Sequence, residues 1–476
     1  MRGVSVGRTS LAVVYAVQFL DALGFALLMP ILPFYLKTLD GYSYQYRGLW
    51  YGGVTGAYSF GQLLGSGVLG VLSDRMGRKP VLVCGLLGGA GLMVYTAFAP
   101  SVIHLLAARF LAGLSAGTGG VCGAYISDVT AKDVRSKYMG LLGAMVGLGL
   151  IAGPGLGGLV ASLAGVRTAF RYLALGSSGM LFVTALGSVR LFNEPPDEAV
   201  GSAASVASVA SLQRTLAINS ASAVAGAEGE PLLPVASKSR AGAGRRVRIT
   251  PALFAKLMRS RSVLLLCISS FMYACLFVAF EIATPLYLIA TFDISAGHVG
   301  LLFTVVGVVL IIVQAGFFSR IMRGVGGPRR LVVGALLCLS VPVSVALPFQ
   351  PTLLTFALLT VLLIIGQALV VPSLAVMASV LSEGANGTVL GVRRSFVSAA
   401  RAIGPLAVGA LYDTSATAIL PHAIRHHHHI LPYWVGAVCG LFSAACAFGI
   451  SRAAVSLAAD PAPDDEDAAR DGSESD

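Results

Sequence analysis

The chain has 476 residues, of which 56% are hydrophobic and only 12% charged, and its mean hydropathy is +0.82. A soluble domain carries about twice that charge, so the composition excludes a soluble protein and predicts an integral membrane protein. The net charge of +11 would suit a nucleic-acid partner, but its cations gather in the connections between apolar runs, which makes them a topology signal and excludes nucleic acid.

Twelve membrane-spanning helices are predicted, at about 11–36, 50–72, 79–99, 102–126, 138–164, 168–192, 262–290, 296–322, 329–348, 353–381, 388–412 and 430–451. With both termini on one side, that side receives 26 of the 33 Lys and Arg. The opposite side holds 5 (Lys37, Arg47, Arg167, Arg171, Arg425), and Arg109 and Arg401 fall inside spans. The positive-inside rule then puts both termini in the cytoplasm. Arg2 and Arg8 lead into a span too long for a cleavable signal, so the first span is expected to serve as the targeting signal. All seven cysteines lie in apolar spans and read as small hydrophobes. No cofactor, and no metal site with ligand spacing, is expected.

The first span carries LDALGFALLMPILP, residues 20–33. An acid in hydrocarbon is costly and normally faces a wet cavity or a partner, so Asp21 is a candidate proton-coupling residue. The alternative is an acid near the membrane edge that pairs a base. Phe25 and Met29, one and two turns on, are candidate substrate contacts.

Between the second and third spans lies GVLSDRMGRK, residues 70–79. A glycine at each end, an acid suited to a helix N-terminus and a cationic cluster make a short electrostatic clasp. Here the sequence resembles the major facilitator superfamily, whose cytoplasmic loop reads GxLaDrxGrk. The resemblance implies an all-α membrane protein, with twelve helices in two pseudo-symmetric six-helix bundles. Its expected limits are 1–192 and 262–451, with a linker at 193–261 and an acidic tail at 452–476. It also implies a cytoplasmic gate of Gly70, Asp74, Arg75, Gly77, Arg78 and Lys79, in which Arg78 meets Asp128 and Asp74 faces the N-terminus of the eleventh helix. The bland reading of these residues is loop anchoring without gating.

Arg109 stands inside the fourth span, in LLAARFLAGLSAG. A buried arginine demands acids, carbonyls or water around it. The resemblance implies a part in proton coupling; a structural ion pair is the alternative.

The fifth span, GLLGAMVGLGLIAGPGLGGLV, has glycine on nearly every turn. Lipid forces such a run to be helical, and Gly149, Gly153, Gly157 and Gly158 then let another helix approach closely. Pro154 removes one helix hydrogen bond. Gly404-Pro405 repeats the Gly153-Pro154 pair at the same offset within the eleventh span, which implies an internal duplication with a site between the halves. The GxxxGPxxGG core is similar to a motif found mainly in proton-coupled antiporters of the superfamily, and the first span is similar to that of the tetracycline/proton antiporter branch. Unlike tetracycline exporters, the chain has no acid in its third or ninth span, which argues against tetracycline itself.

From 193 to 261 the composition turns to Ala, Ser, Val and Gly followed by a basic run, and predicts a disordered linker. Glu228-Gly229-Glu230-Pro231-Leu232-Leu233 has the form of an acidic dileucine sorting signal, so the plasma membrane and an endolysosomal or vacuolar membrane both stand as locations. In the seventh span Glu281 lies between Phe280 and Ile282, where an acid stays neutral unless a base or water meets it. It is the second candidate proton site. Tyr273 and Phe277 are further substrate contacts. Arg401 is expected to hold an anionic substrate group or to pair Glu281. His422 and His426–His429 fall in the last non-cytoplasmic loop, where a polar loop competes with a metal or pH-sensing role.

The expected function is secondary active transport of a small organic solute by alternating access, as a proton-coupled antiporter working as a monomer in the bilayer. A facilitative uniporter in the same fold, or a non-transporting receptor or scaffold acting through the central loop, are the alternatives. No phosphate-binding loop or nucleophile constellation is present, so an enzyme is not expected.

Overall fold

The computed structural model describes residues 8–130, 132–194, 259–381, 386–417 and 430–450. Most of the segment expected as a linker, the acidic tail, the dileucine-like stretch and the histidine cluster lie outside the described residues.

The long elements are all helices: α1 (Arg8–Leu28), α2 (Arg47–Met76), α3 (Arg78–Ala97), α4 (Val102–Val129, interrupted at Ala116 and Gly117), α5 (Lys132–Ala164), α6 (Val166–Leu191), α7 (Arg261–Phe292), α8 (Ala296–Val325), α9 (Pro328–Phe349), α10 (Leu353–Val380), α11 (Asn386–Thr417) and α12 (Leu431–Gly449). Among the described residues, eleven are long and apolar enough to cross a membrane. The exception is α2. At 30 residues it has the length, but its glycines and polar side chains dilute its hydropathy. The chain is an all-α, multi-pass membrane protein.

Local chemistry sets several boundaries. Ser101 and Thr352 cap α4 and α10 by accepting the amide hydrogens of His104 and Thr355. Gly77, at φ +97°, makes the one-residue turn between α2 and α3. Pro154, Pro285 and Pro405 lie inside α5, α7 and α11 without ending them, as helices buried among other helices allow.

The first six helices pack together, α1 on α5 and α6, α2 on α4, and α3 on α6; the last six do likewise, α7 on α11 and α12, and α9 on α10 and α12. On α5, Gly149, Gly153 and Gly157 lie against Phe19, Ala26 and Leu27 of α1, so closely that a side chain at any of them would strike α1.

The two groups meet along two seams. In one, Gly48, Gly52 and Gly56 of α2 lie against Gly409, Pro405 and Ala402 of α11. In the other, Gly158, Gly155 and Ile151 of α5 lie against Gly300, Thr304 and Gly307 of α8. Both seams stop midway. Further along, Gly67 and Gly70 of α2, Gly391 of α11, Gly140, Gly143 and Gly147 of α5, and Gly316 of α8 all face open space. The groups therefore touch at the end carrying Gly48 and Gly300 and part toward the end carrying the 70–79 clasp. At the closed end they share one apolar core, in which Leu28, Ile31 and Tyr51 lie with Val278, Ala279 and Ile282.

Candidate functional site

Arg109 projects from α4 and is 1% exposed. Its guanidinium lies 4.7 Å from the ring of Tyr58 and 5.7 Å from that of Phe25, and the two rings stack at 5.0 Å. Its Nε and Nη1 have no hydrogen-bond partner, and among the described residues no carboxylate pairs with it. Aromatic faces, rather than acids, receive this cation.

Glu281 of α7 meets Arg401 of α11, with Arg401 Nη2 donating to Glu281 Oε1 at 3.4 Å. Arg401 keeps a third of its side chain exposed while Glu281 is mostly covered. Asp21 of α1 accepts a hydrogen bond from Thr118 Oγ1 at 2.7 Å. It lines a cleft with Gly24, Tyr58, Met93 and Ser115 that has about 20 Å³ of free space, room for one water. Glu281 does not line this cleft, so the two acids do not share a wall in this conformation.

Tyr51 of α2 lies in the core that the two groups share. It is wholly buried and lies close enough to Arg109 and Glu281 to feel both charges. Tyr58 likewise feels Asp21 and Arg109, and Tyr273 feels Arg401. Asp21, Tyr58, Arg109 and Tyr51 come from the first six helices, and Glu281, Arg401 and Tyr273 from the last six. Phe25, Met29 and Tyr273 are buried and Phe277 is half-buried, so three of the four proposed apolar substrate contacts are sealed in this conformation.

At the clasp, Arg78 reaches Asp74 at 2.6 Å, Asp128 at 3.0 Å and Ser73 Oγ at 2.6 Å. All of these residues lie in the first six helices. Asp74, its side chain 59% exposed, turns to Arg78 rather than to α11, because the α2–α11 seam is open at this level.

Two residues escaped the sequence reading. Glu194, just past α6, accepts the amide hydrogens of Arg78 (3.1 Å) and Lys79 (2.7 Å) and so caps α3. Asp413, in α11, accepts those of Gly48 (2.8 Å) and Leu49 (2.7 Å) at the start of α2. Each is an acid at the edge of an apolar run, a signal that was present but named no partner. Among the described residues, no group of three or more His, Cys, Asp or Glu is placed to hold a metal ion.

A family model described as Major Facilitator Superfamily matches residues 14–405 and, in a second overlapping match, 266–473. The chain belongs to the Major Facilitator Superfamily. Members of that superfamily are transporters of small solutes. Within the superfamily it resembles the tetracycline-resistance branch: it is 36% identical over 177 residues to the class H tetracycline resistance protein of Pasteurella multocida, covering 37% of this chain and 44% of that one. That match spans less than half of the relative's length. The human Major facilitator superfamily domain-containing protein 10 is 29% identical over 432 residues, covering 85% of this chain and 88% of that one. The solved structure of the human organic anion transporter MFSD10 (TETRAN) superposes with a TM-score of 0.57 at 24% identity, covering 93% of this chain and 99% of that one. At this identity the likeness shows the fold.

Proposed function

We propose that this superfamily member is a proton-coupled antiporter that moves a small organic solute by alternating access. The observation that carries the proposal is the Glu281–Arg401 pair, an acid and a base held between membrane helices. An ionisable pair is expensive at that depth and marks a site that gains and loses charge. Glu281 and Asp21 are the proton-carrying groups, and Arg109 and Arg401 set how readily they ionise. Phe25, Met29, Tyr273 and Phe277 supply apolar contacts once the halves move.

The seams support the transport cycle. They are closed at one end and open at the other, and rocking the two groups about the site exchanges which end is open. The distribution of Lys and Arg supports reading the open, clasp-bearing end as cytoplasmic, with both termini on that side. The residues of the clasp, Gly70 to Lys79 with Asp128, form the cytoplasmic gate of the opposite state. The glycine-rich α5, shared in its motif with antiporters of the superfamily, favours exchange over co-transport.

The test is uptake into vesicles that carry the purified protein and an acidic lumen. Antiport accumulates solute on the acidic side, and a protonophore abolishes the accumulation. Accumulation on the alkaline side, or flux indifferent to the gradient, overturns the proposal in favour of co-transport or uniport.

A further inference from the structure

The cleft beside Asp21 is a second ionisable place in the bundle, and Glu281 takes no part in its lining. Asp21 of α1 accepts a hydrogen bond from Thr118 Oγ1 at 2.7 Å, and among the described residues no base pairs with it. An asparagine would satisfy that hydroxyl without setting a charge in the membrane. The cleft also adjoins the point where α4 is broken. In an unbroken helix the amide of Gly120 bonds the carbonyl of Ala116; here it bonds the carbonyl of Gly117 instead, at 3.1 Å. The Ala116 carbonyl is thereby released from the helix ladder, and Ser115, Ala116 and Thr118 all line the cleft. The Ser115 carbonyl lies 3.4 Å from where a side chain on Gly85 of α3, another lining residue, would begin. A carboxylate, two hydroxyl-bearing residues and freed backbone thus border about 20 Å³ of free space.

We propose that this cleft binds one alkali metal cation, which competes with the proton for Asp21. The proposal rests on the reading of Asp21 as an ion-carrying group and names a second ion for it. Hard cations are held by carboxylate, hydroxyl and carbonyl oxygens, and in membrane bundles the carbonyls come from breaks in helices. On binding, the Thr118 hydroxyl turns its hydrogen away from Asp21 and offers the metal a lone pair. One carboxylate balances one positive charge, whereas a divalent ion would leave net charge in a low-dielectric site. The free space admits a bare ion and excludes an organic cation. The ionisable groups that feel Asp21 are Tyr58 of α2 and Cys122 of α4, both neutral near pH 7. Arg109, 4.7 Å from the Tyr58 ring, keeps its charge throughout. From α3 and α6 the cleft receives Gly85, Leu86, Gly89, Met93 and Leu181, none of which titrates. Protonation of Asp21 therefore removes the negative charge that holds the cation, and acid displaces it.

The test is equilibrium binding of radioactive sodium to the full chain in lipid nanodiscs, with no solute and no gradient. The wild type should show a saturable site that unlabelled sodium and lithium empty and choline does not. Each pH unit below the titration of Asp21 should weaken the binding about ten-fold. D21N should abolish it. T118V and S115A keep the carboxylate, and each should weaken the binding at least about ten-fold while the unfolding temperature without sodium stays unchanged. These two decide the matter should D21N fold poorly. Absence of saturable binding, indifference to pH, binding that survives D21N, or full affinity in both T118V and S115A overturns the proposal. Because neither solute nor gradient enters this measurement, it fails or succeeds independently of the vesicle uptake that tests antiport.

Discussion

Asp413 of α11 caps α2 from across the seam, taking the amide hydrogens of Gly48 at 2.8 Å and Leu49 at 2.7 Å. The first amides of any helix lack internal partners, and here the carboxylate that satisfies them belongs to the other six-helix group. The bonds therefore exist only while this end is closed. A hydrogen bond to a charged group contributes about 1.5–3 kcal/mol when buried, and an asparagine keeps one acceptor but loses the charge. D413N should cost the closed state about 1–2 kcal/mol, which raises the open population of this end roughly 5- to 30-fold. Spin labels at Gln45→Cys and His298→Cys, with the native cysteines replaced, report it as a new, longer distance. An unchanged distance distribution would show that the cap holds nothing shut.

The α2–α11 seam also foretells its own continuation. Gly48, Gly52 and Gly56 step one way along α2 while Gly409, Pro405 and Ala402 step the other way along α11. Three turns further, with 3.6 residues per turn, Gly67 comes opposite Gly391, and both now face empty space. Closing the clasp end should bring these two backbones together. The pair Gly67→Cys with Gly391→Cys should cross-link under mild oxidant only when solute and gradient drive the cycle, and the cross-linked protein should not transport. The pair Gly67→Cys with Ser395→Cys, one turn out of register, should cross-link several-fold less; the reverse ranking would refute the register.

Arg109 offers a stability test whose sign is unusual for a buried residue. A buried charge without a partner of opposite sign carries a desolvation cost that the Tyr58 and Phe25 rings offset only in part, at about 0.5–2 kcal/mol. R109M removes the charge and keeps most of the volume. Its unfolding temperature in detergent should equal or exceed that of the wild type, while solute uptake falls at least about 100-fold. A marked loss of stability would mean that the arginine is a structural member of the bundle.

Much of the fold was legible because lipid leaves few choices. Backbone that cannot hydrogen-bond its surroundings must be helical, so apolar length alone located the spans. The glycine spacing of α5 marked it as a surface for close approach, and it packs on α1. The clasp showed in sequence because its chemistry is local, Asp74 and Arg78 being one turn apart. Asp413 and Glu194 were not legible in role, because their partners are backbone amides at helix starts distant in sequence, and an amide has no letter. Tyr51 was hidden for a different reason. Sequence hydropathy counts a tyrosine in a membrane helix as unremarkable, and only the fold places it in the core that Leu28 and Ile31 share with Val278 and Ile282. Asp21 and Glu281 lie on equivalent helices, α1 and α7. Equivalent helices do not ensure a shared cavity, and Glu281 does not line the cleft that holds Asp21.

Glu281 and Asp21 can be separated as proton carriers. Glu281 faces Arg401 across 3.4 Å, whereas Asp21 has a neutral partner, Thr118, at 2.7 Å. E281Q leaves Arg401 without its counter-charge but cannot release a proton. If Glu281 carries the coupled proton, E281Q should still exchange labelled for unlabelled solute across a vesicle, with a rate within a few-fold of wild type, yet accumulate none against a gradient. D21N leaves the Glu281–Arg401 pair in place and keeps an acceptor for Thr118, so it should slow accumulation without abolishing it. The comparison is made on the same vesicles, by counterflow and by gradient-driven uptake. The opposite outcome, full coupling in E281Q and none in D21N, would move the proton site to the cleft beside Tyr58 and leave Glu281–Arg401 as a structural pair that ties α7 to α11.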